Sequence, residues 1–188
     1  MNLSLRALSV AAMLTVASIG GALAQDNPEV GGAAMFADKN IIENAVNSAD
    51  HTTLVAAVQA AGLVETLSGA GPFTVLAPVN AAFDALPAGT VDTLLKPENK
   101  EMLSTILACH VIPAKALSTD IMGMVEADGG EHVVDTVGGC KLTLKAADGK
   151  VTVTDENGTV ANVTIADVIQ SNGVIHVIDA VLTPKSAM

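Results

Sequence analysis

The spacing of apolar residues changes once along this chain, and that change limits the folds open to it. Up to about Ile112 the apolar residues fall in helical stripes interrupted by a short apolar run; from Lys141 onward they alternate one in two. Ile41, Ile42, Ala45 and Val46 share a helical face. Thr52 or Thr53 is placed to cap a second helix carrying Leu54, Val55, Val58 and Leu63, with Gly62 at its end. Phe73 to Ala77, between Gly71-Pro72 and Pro78, reads as a short buried strand. Helical spacing returns over Ala81 to Leu86 and again over Pro97 to Cys109, where Met102, Leu103, Ile106 and Leu107 form the expected buried face; Val111-Ile112 reads as extended. Later, Leu142 and Leu144, Val151 and Val153, then Val163 and Ile165 alternate with polar neighbours, which predicts a β-meander with turns at Asp148-Gly149 and Asn157-Gly158. Val174 to Ile178 supplies a last strand. Helices early and strands late favour an α+β fold over an alternating, doubly wound one.

Before this pattern begins, Asn2 to Arg6 gives a short positive start, Ala7 to Ile19 a weakly apolar stretch, and Ala22-Leu23-Ala24 small residues at the cleavage positions. Residues 1–24 therefore read as a secretory signal peptide cut before Gln25; the alternative is an uncleaved anchor helix. A single arginine gives no twin-arginine signal, no cysteine follows the apolar stretch to carry a lipid, and the C-terminus has no apolar tail. The expected product is secreted or periplasmic, with no membrane insertion after cleavage. Residues 25–37, rich in Asp, Asn, Pro and Gly, read as a flexible leader, 38–184 as the domain and 185–188 as a tail. Half of the 188 residues are apolar, enough for one sizeable core, yet there are three Phe and no Trp or Tyr. Stacking platforms for bases or sugars are scarce, and a formal charge of −11 repels nucleic acid and anionic membranes.

Two segments, GPFTVLAPVNAAFDALP (Gly71 to Pro87) and SNGVIHVIDAVLTP (Ser171 to Pro184), resemble the paired signature boxes of the fasciclin domain family. ILACHVIPAKAL (Ile106 to Leu117) is similar to that family's Tyr-His segment, and Thr52 to Gly69 also fits, so the resemblance runs from about Asp38 to Pro184. It implies a β-sandwich-like wedge with helices packed around one side, and a non-enzymatic role in adhesion through a cell-surface or extracellular-matrix protein. Thr74 to Ala77 and Val174 to Ile178 are expected to pair at the centre of the sheet, and Asn80 to cap the helix that buries Phe83 and Leu86. Asn172-Gly173 gives the turn before the last strand. The family's receptor-binding positions fall here on Asp167, Val168 and His110. From the residues alone, His110 also reads as a hydrogen-bonded framework residue, Asp167 as a turn cap and His176 as support for packing.

Cys109, standing where the family usually has Tyr, and Cys140 are the only cysteines. An oxidising compartment leaves them one intramolecular pairing, a disulfide; the alternative is two reduced, buried thiols. No cofactor is expected, because His51, His110, His132 and His176 lack metal-ligand spacing and no nucleophile elbow, phosphate-cradling loop or dinucleotide fingerprint occurs. Asp155 to Thr159 reads as a turn rather than a calcium loop. Asn157-Gly-Thr and Asn162-Val-Thr are formal glycosylation sequons, but the signal looks bacterial and neither is expected to be used. Two rivals stand beside the adhesion reading: a small-ligand binder with an apolar crevice between helices and sheet involving Met102, Met122 and Met124, and a hydrolase with a spatially assembled site.

Overall fold

A computed structural model of the protein describes residues 27–185. The expected signal peptide and the last three residues of the tail lie outside them. Helices α1 (Ile41–Ala45), α2 (Thr52–Ala61) and α3 (Val64–Leu67) precede strand β1 (Phe73–Pro78). Helices α4 (Asn80–Asp84), α5 (Thr90–Leu94) and α6 (Lys100–Ala108) then lead to β2 (Val111–Ile112). After α7 (Ser118–Ala127) come β3 (Glu131–Asp135), β4 (Lys141–Ala147), β5 (Lys150–Thr154), β6 (Val160–Gln170) and β7 (Gly173–Ile178).

The seven strands form one sheet in the order β2-β1-β7-β6-β5-β4-β3. The two boxes do pair at its centre, β1 and β7 running parallel from Phe73 opposite Gly173 to Pro78 opposite Ile178. Both strands are buried on two faces, which is why they read as unbroken apolar runs. Val75, Ala77, Ile175 and Val177 face one core built with α1, α2, α4 and α6. Leu76 and Ile178 face a second core that they share with Leu142, Leu144, Val151 and Val153 of the meander. The sheet thus curls into a wedge around the second core, and Ile121 and Val125 of α7 close it. Strand β6 turns the corner: Val160 to Asn162 pair with β5, while Val163 to Gln170 pair with β7 through two breaks in register.

Several local expectations need correction. The segment taken for a flexible leader is packed from Asn27 onward: Val30 and Met35 are buried, and the Asn27 side chain donates to the Ile169 carbonyl and accepts from its N–H. Asn80 does not cap its own helix. Its Oδ1 accepts from the N–H and hydroxyl of Thr53 and Thr52 respectively and its Nδ2 donates to Ala49, so it caps α2 from outside, where neither threonine does. Met102 is 45 % exposed because α5 only partly covers that edge of α6, beside Thr93 and Leu94. At the β4–β5 turn Asp148 and Gly149 both take positive φ, as expected, whereas at Asn157-Gly158 only Gly158 does. There the Asp155 carboxylate holds the turn instead, accepting from the N–H groups of Asn157 and Thr159 and, through its other oxygen, from Thr183. Gly62 ends α2 in the left-handed conformation.

Candidate functional site

The candidate residues Asp167 and Val168 lie at a break in the register of β6, where Asp167 adopts φ 59. Aspartate tolerates that left-handed geometry better than a branched residue would. Its carboxylate is thereby turned toward the start of α7, where Oδ1 accepts from the Ser118 N–H at 2.6 Å and Oδ2 from the Ser118 hydroxyl. A helix start carries unsatisfied N–H groups and a partial positive charge, so an anion there satisfies both. The Asp167 N–H in turn donates to Nδ1 of His176 at 3.2 Å, and Nε2–H of His176 donates to the Ala116 carbonyl at 2.8 Å. Thr74 completes the stitching of the 113–117 loop: its hydroxyl donates to Ala114 and accepts from the Ala116 N–H.

His110 works elsewhere. Its Nδ1–H donates to the Ile106 carbonyl at 2.8 Å, and its Nε2 accepts from the Leu182 N–H at 2.9 Å, joining α6 to the C-terminal segment. The partners fix opposite neutral tautomers in the two rings, with the proton on Nδ1 in His110 and on Nε2 in His176. Burial pushes the His110 imidazole down to about 4 and holds His176 below its ordinary value; bonds to backbone carbonyls and the nearby Asp155 and Asp167 oppose this only in part.

His110 is 2 % exposed, Val168 is fully buried and Asp167 is half-buried with its carboxylate engaged. Of the expected partner-binding trio, His110 and Val168 therefore lie inside the fold and Asp167 alone is partly accessible. Asp167 is brought together with His176 and Ser118, not with His110; His110 is the hydrogen-bonded framework residue that its type suggested, while Asp167, expected as a turn cap or a binding acid, caps the start of a helix instead. Cys109 and Cys140 are paired in a disulfide, with Cα atoms 5.4 Å apart, and tie the end of α6 to the start of β4. The adjoining loop is tied as well, since Gly138 packs so closely on the Ala108 and Cys109 backbone that a side chain has no room there.

An open surface does exist, on the solvent side of the meander. Register places Val133, Thr143, Thr154 and Val160 side by side across β3, β4, β5 and β6. With strands roughly 4.8 Å apart, this row spans about 14 Å. Val133 is 54 % and Val160 53 % exposed. Ion pairs from Lys145 to Glu131 at 2.5 Å and from Lys141 to Asp135 at 3.0 Å flank the row. Alternation in the sequence assigns Thr143 and Thr154 to the outer face, but β3 itself was missed, being short and set between Gly129-Gly130 and a tight turn.

The model of the fasciclin domain matches residues 49–184. The chain belongs to the fasciclin family. It is 47 % identical over 172 residues to protein sll1483 of Synechocystis, covering 92 % of this chain and 88 % of that protein. It is 34 % identical over 168 residues to the cell surface glycolipoprotein MPB83 of Mycobacterium bovis, covering 87 % of this chain and 69 % of the relative. Among solved structures, a fasciclin domain pair from the insect cell adhesion molecule fasciclin I superposes with a TM-score of 0.70 at 16 % identity, over 79 % of this chain and 52 % of that one. The fasciclin fold expected from the two boxes is thus the fold observed.

Proposed function

We propose that the protein is an exported, non-enzymatic fasciclin module that mediates adhesion by binding a cell-surface or extracellular-matrix protein through the uncovered face of its meander. The observation that carries this reading is the exposed Val133–Thr143–Thr154–Val160 row. β-Branched side chains are stiff, so little rotamer freedom is lost when a partner covers them. The flanking ion pairs make the face locally neutral on a chain whose formal charge is −11, which lowers the electrostatic barrier to a protein partner. Membership of a family that includes a named cell adhesion molecule and a named cell surface protein supports the class of function. Export rests on the signal-like residues 1–24. A non-catalytic role is supported by the two histidines nearest the signature boxes, whose ring nitrogens are already committed to the fold.

The test is saturable binding of the purified mature protein to bacterial cells and to matrix-coated surfaces, with wild type set against a Val133→Glu/Val160→Glu double variant. Loss of binding by at least tenfold, with an unchanged circular dichroism spectrum, is expected. Retained binding in the double variant, or no saturable binding by wild type, overturns the proposal. N-terminal sequencing of protein recovered from the periplasm and medium is expected to start at Gln25.

A further inference from the structure

Between α1, α2 and α3 on one side and β1 and β7 on the other lies a cavity of about 40 Å3. Its inner wall includes Ile41, Val58, Leu67, Val75, Val168 and Ile175, and no phenylalanine reaches it. The space has a structural cause. Helix α1 is five residues long, buries Ile41 in the core it shares with α2, and is fastened by polar bonds as well: the Ile41 N–H donates to Asn172 Oδ1 at 3.1 Å, and Asn44 bonds Phe36 and Gln170. A gap is left beside it, open to the surface past Ile42, Ala45, Val55 and Val64, all half-buried. Val46, four residues beyond Ile42, is 51 % exposed and continues the apolar surface outside the mouth.

Volume alone would admit water, but a water also needs two to four polar partners. The buried polar side chains on the inner wall offer none, and the remaining polar lining residue, Gln59, stands exposed. Ser48 Oγ is bonded to His51 Nδ1, His51 Nε2 faces the Ala77 carbonyl, and both nitrogens of His110 are engaged. Among the described residues no buried side-chain nitrogen or oxygen lacks a partner. The Met residues that the sequence suggested for such a crevice, Met102, Met122 and Met124, do not line it; Met35 does.

We infer that this cavity binds the end of a single saturated hydrocarbon chain, inserted tail first between α1 and α2 with its polar head left in solvent. The aliphatic wall gives a flat aromatic ligand nothing to stack on, and the absence of unmet hydrogen bonds gives a polar ligand nothing to satisfy. The size admits a few methylenes and no more, so the remainder of the ligand must project through the mouth. Neither the adhesion reading nor the meander face is involved, so this inference stands or falls separately.

Titration of the protein with the n-alkanols from methanol to decanol, followed by methyl NMR shifts, tests it. Each added methylene is expected to tighten binding about fourfold until the cavity is full, after which affinity levels off. The largest shifts should come from Ile41, Val58 and Ile175. Ala45→Phe, which fills the cavity from α1, should weaken decanol binding at least tenfold while the thermal midpoint holds; Val55→Phe does the same from the opposite wall should Ala45→Phe fold poorly. No saturable shift in these methyls, affinity that climbs through decanol without levelling, or undiminished binding in a folded plugged variant each overturns the inference.

Discussion

The β1–β7 pair and the β3–β5 meander belong to one sheet, yet they use polar residues in opposite ways. In the pair every residue of β7 is buried, and the polar side chains among and around these strands act as internal fasteners: Thr74 and His176 both bond backbone of the 113–117 loop, and Asn172 bonds the carbonyls of Leu67 and Gly69 at the end of α3. In the meander, buried aliphatics alternate with outward Lys, Thr and Glu whose partners, where they have them, are their cross-strand neighbours. The family's signature boxes lie in the first region. What makes the chain recognisable is therefore what holds its layers and loops together, and the region free to present a binding surface is the one with the plainer pattern. Asp167 and His110 stand in the fastening half, where their side chains bond Ser118, Ile106 and Leu182.

The contrast is broken most directly with glycines. A Cβ on Gly173 would run into the Phe73 backbone across the parallel pair, whereas one on Gly149 would meet open space and only the strain of φ 74. Gly173→Ala is expected to destabilise by more than about 4 kcal/mol or to prevent folding, and Gly149→Ala by about 1 kcal/mol, in urea unfolding. Equal effects would erase the distinction between the halves. Next in size is the disulfide, the covalent tie between them. Cys109 and Cys140 are 31 residues apart, so Cys109→Ser/Cys140→Ser is expected to lower stability by roughly 3–4 kcal/mol on the chain-entropy model. A variant as stable as wild type, or a wild type indifferent to reductant, would show that the halves hold each other by packing alone.

How far the fold was legible follows the same division. Period-two alternation exposed β4 and β5, and apolar runs between Gly and Pro exposed β1 and β7, because burial there is dictated by local pattern. Helix α7 went unread because Asp120, Gly123 and Glu126 dilute the stripe of Ile121 and Val125, and its start is fixed by Asp167, 49 residues from Ser118. Asn80 was assigned to the wrong helix for a like reason: Asn is a good cap locally, but the helix it caps lies upstream. The site was less legible still. Which imidazole nitrogen meets which backbone group, and that His110 reaches Leu182, depends on long-range closure that no local spacing records.

Acid should act on the fastening half, because His110, His176 and His51 are all held neutral by burial. His110 has its folded value at about 4 against an ordinary 6.5. The unfolded chain therefore binds a proton that the folded chain refuses, and stability falls as pH drops from 6.5 toward 4, then levels for this group. Its share is about 3 kcal/mol, with His51 and His176 acting in the same direction. Urea midpoints at pH 7.5, 6.5, 5.5 and 4.5 are expected to decline, and His110→Gln should flatten that slope. A slope as steep in His110→Gln as in wild type would place the acid sensitivity elsewhere.

The smallest effect concerns a single fastener at the surface. Asn80 accepts from the N–H of Thr53 at 3.0 Å and donates to the Ala49 carbonyl at 2.8 Å, so it links the start of α4 to the start of α2 with no apolar contribution of its own. Removing an N-cap acceptor costs about 1 kcal/mol, and loss of the second bond brings the expected effect of Asn80→Ala to between about 1 and 2 kcal/mol. Asn80→Asp should retain the capping half, since a carboxylate accepts from Thr53 as well, and lose the bond to Ala49 because it has no donor. Stability of Asn80→Asp between wild type and Asn80→Ala identifies a cap supplied across the chain. Equal loss in both variants would place the residue's value in its bond to Ala49, and the start of α2 would then have to be held by its packing on α6 and α4.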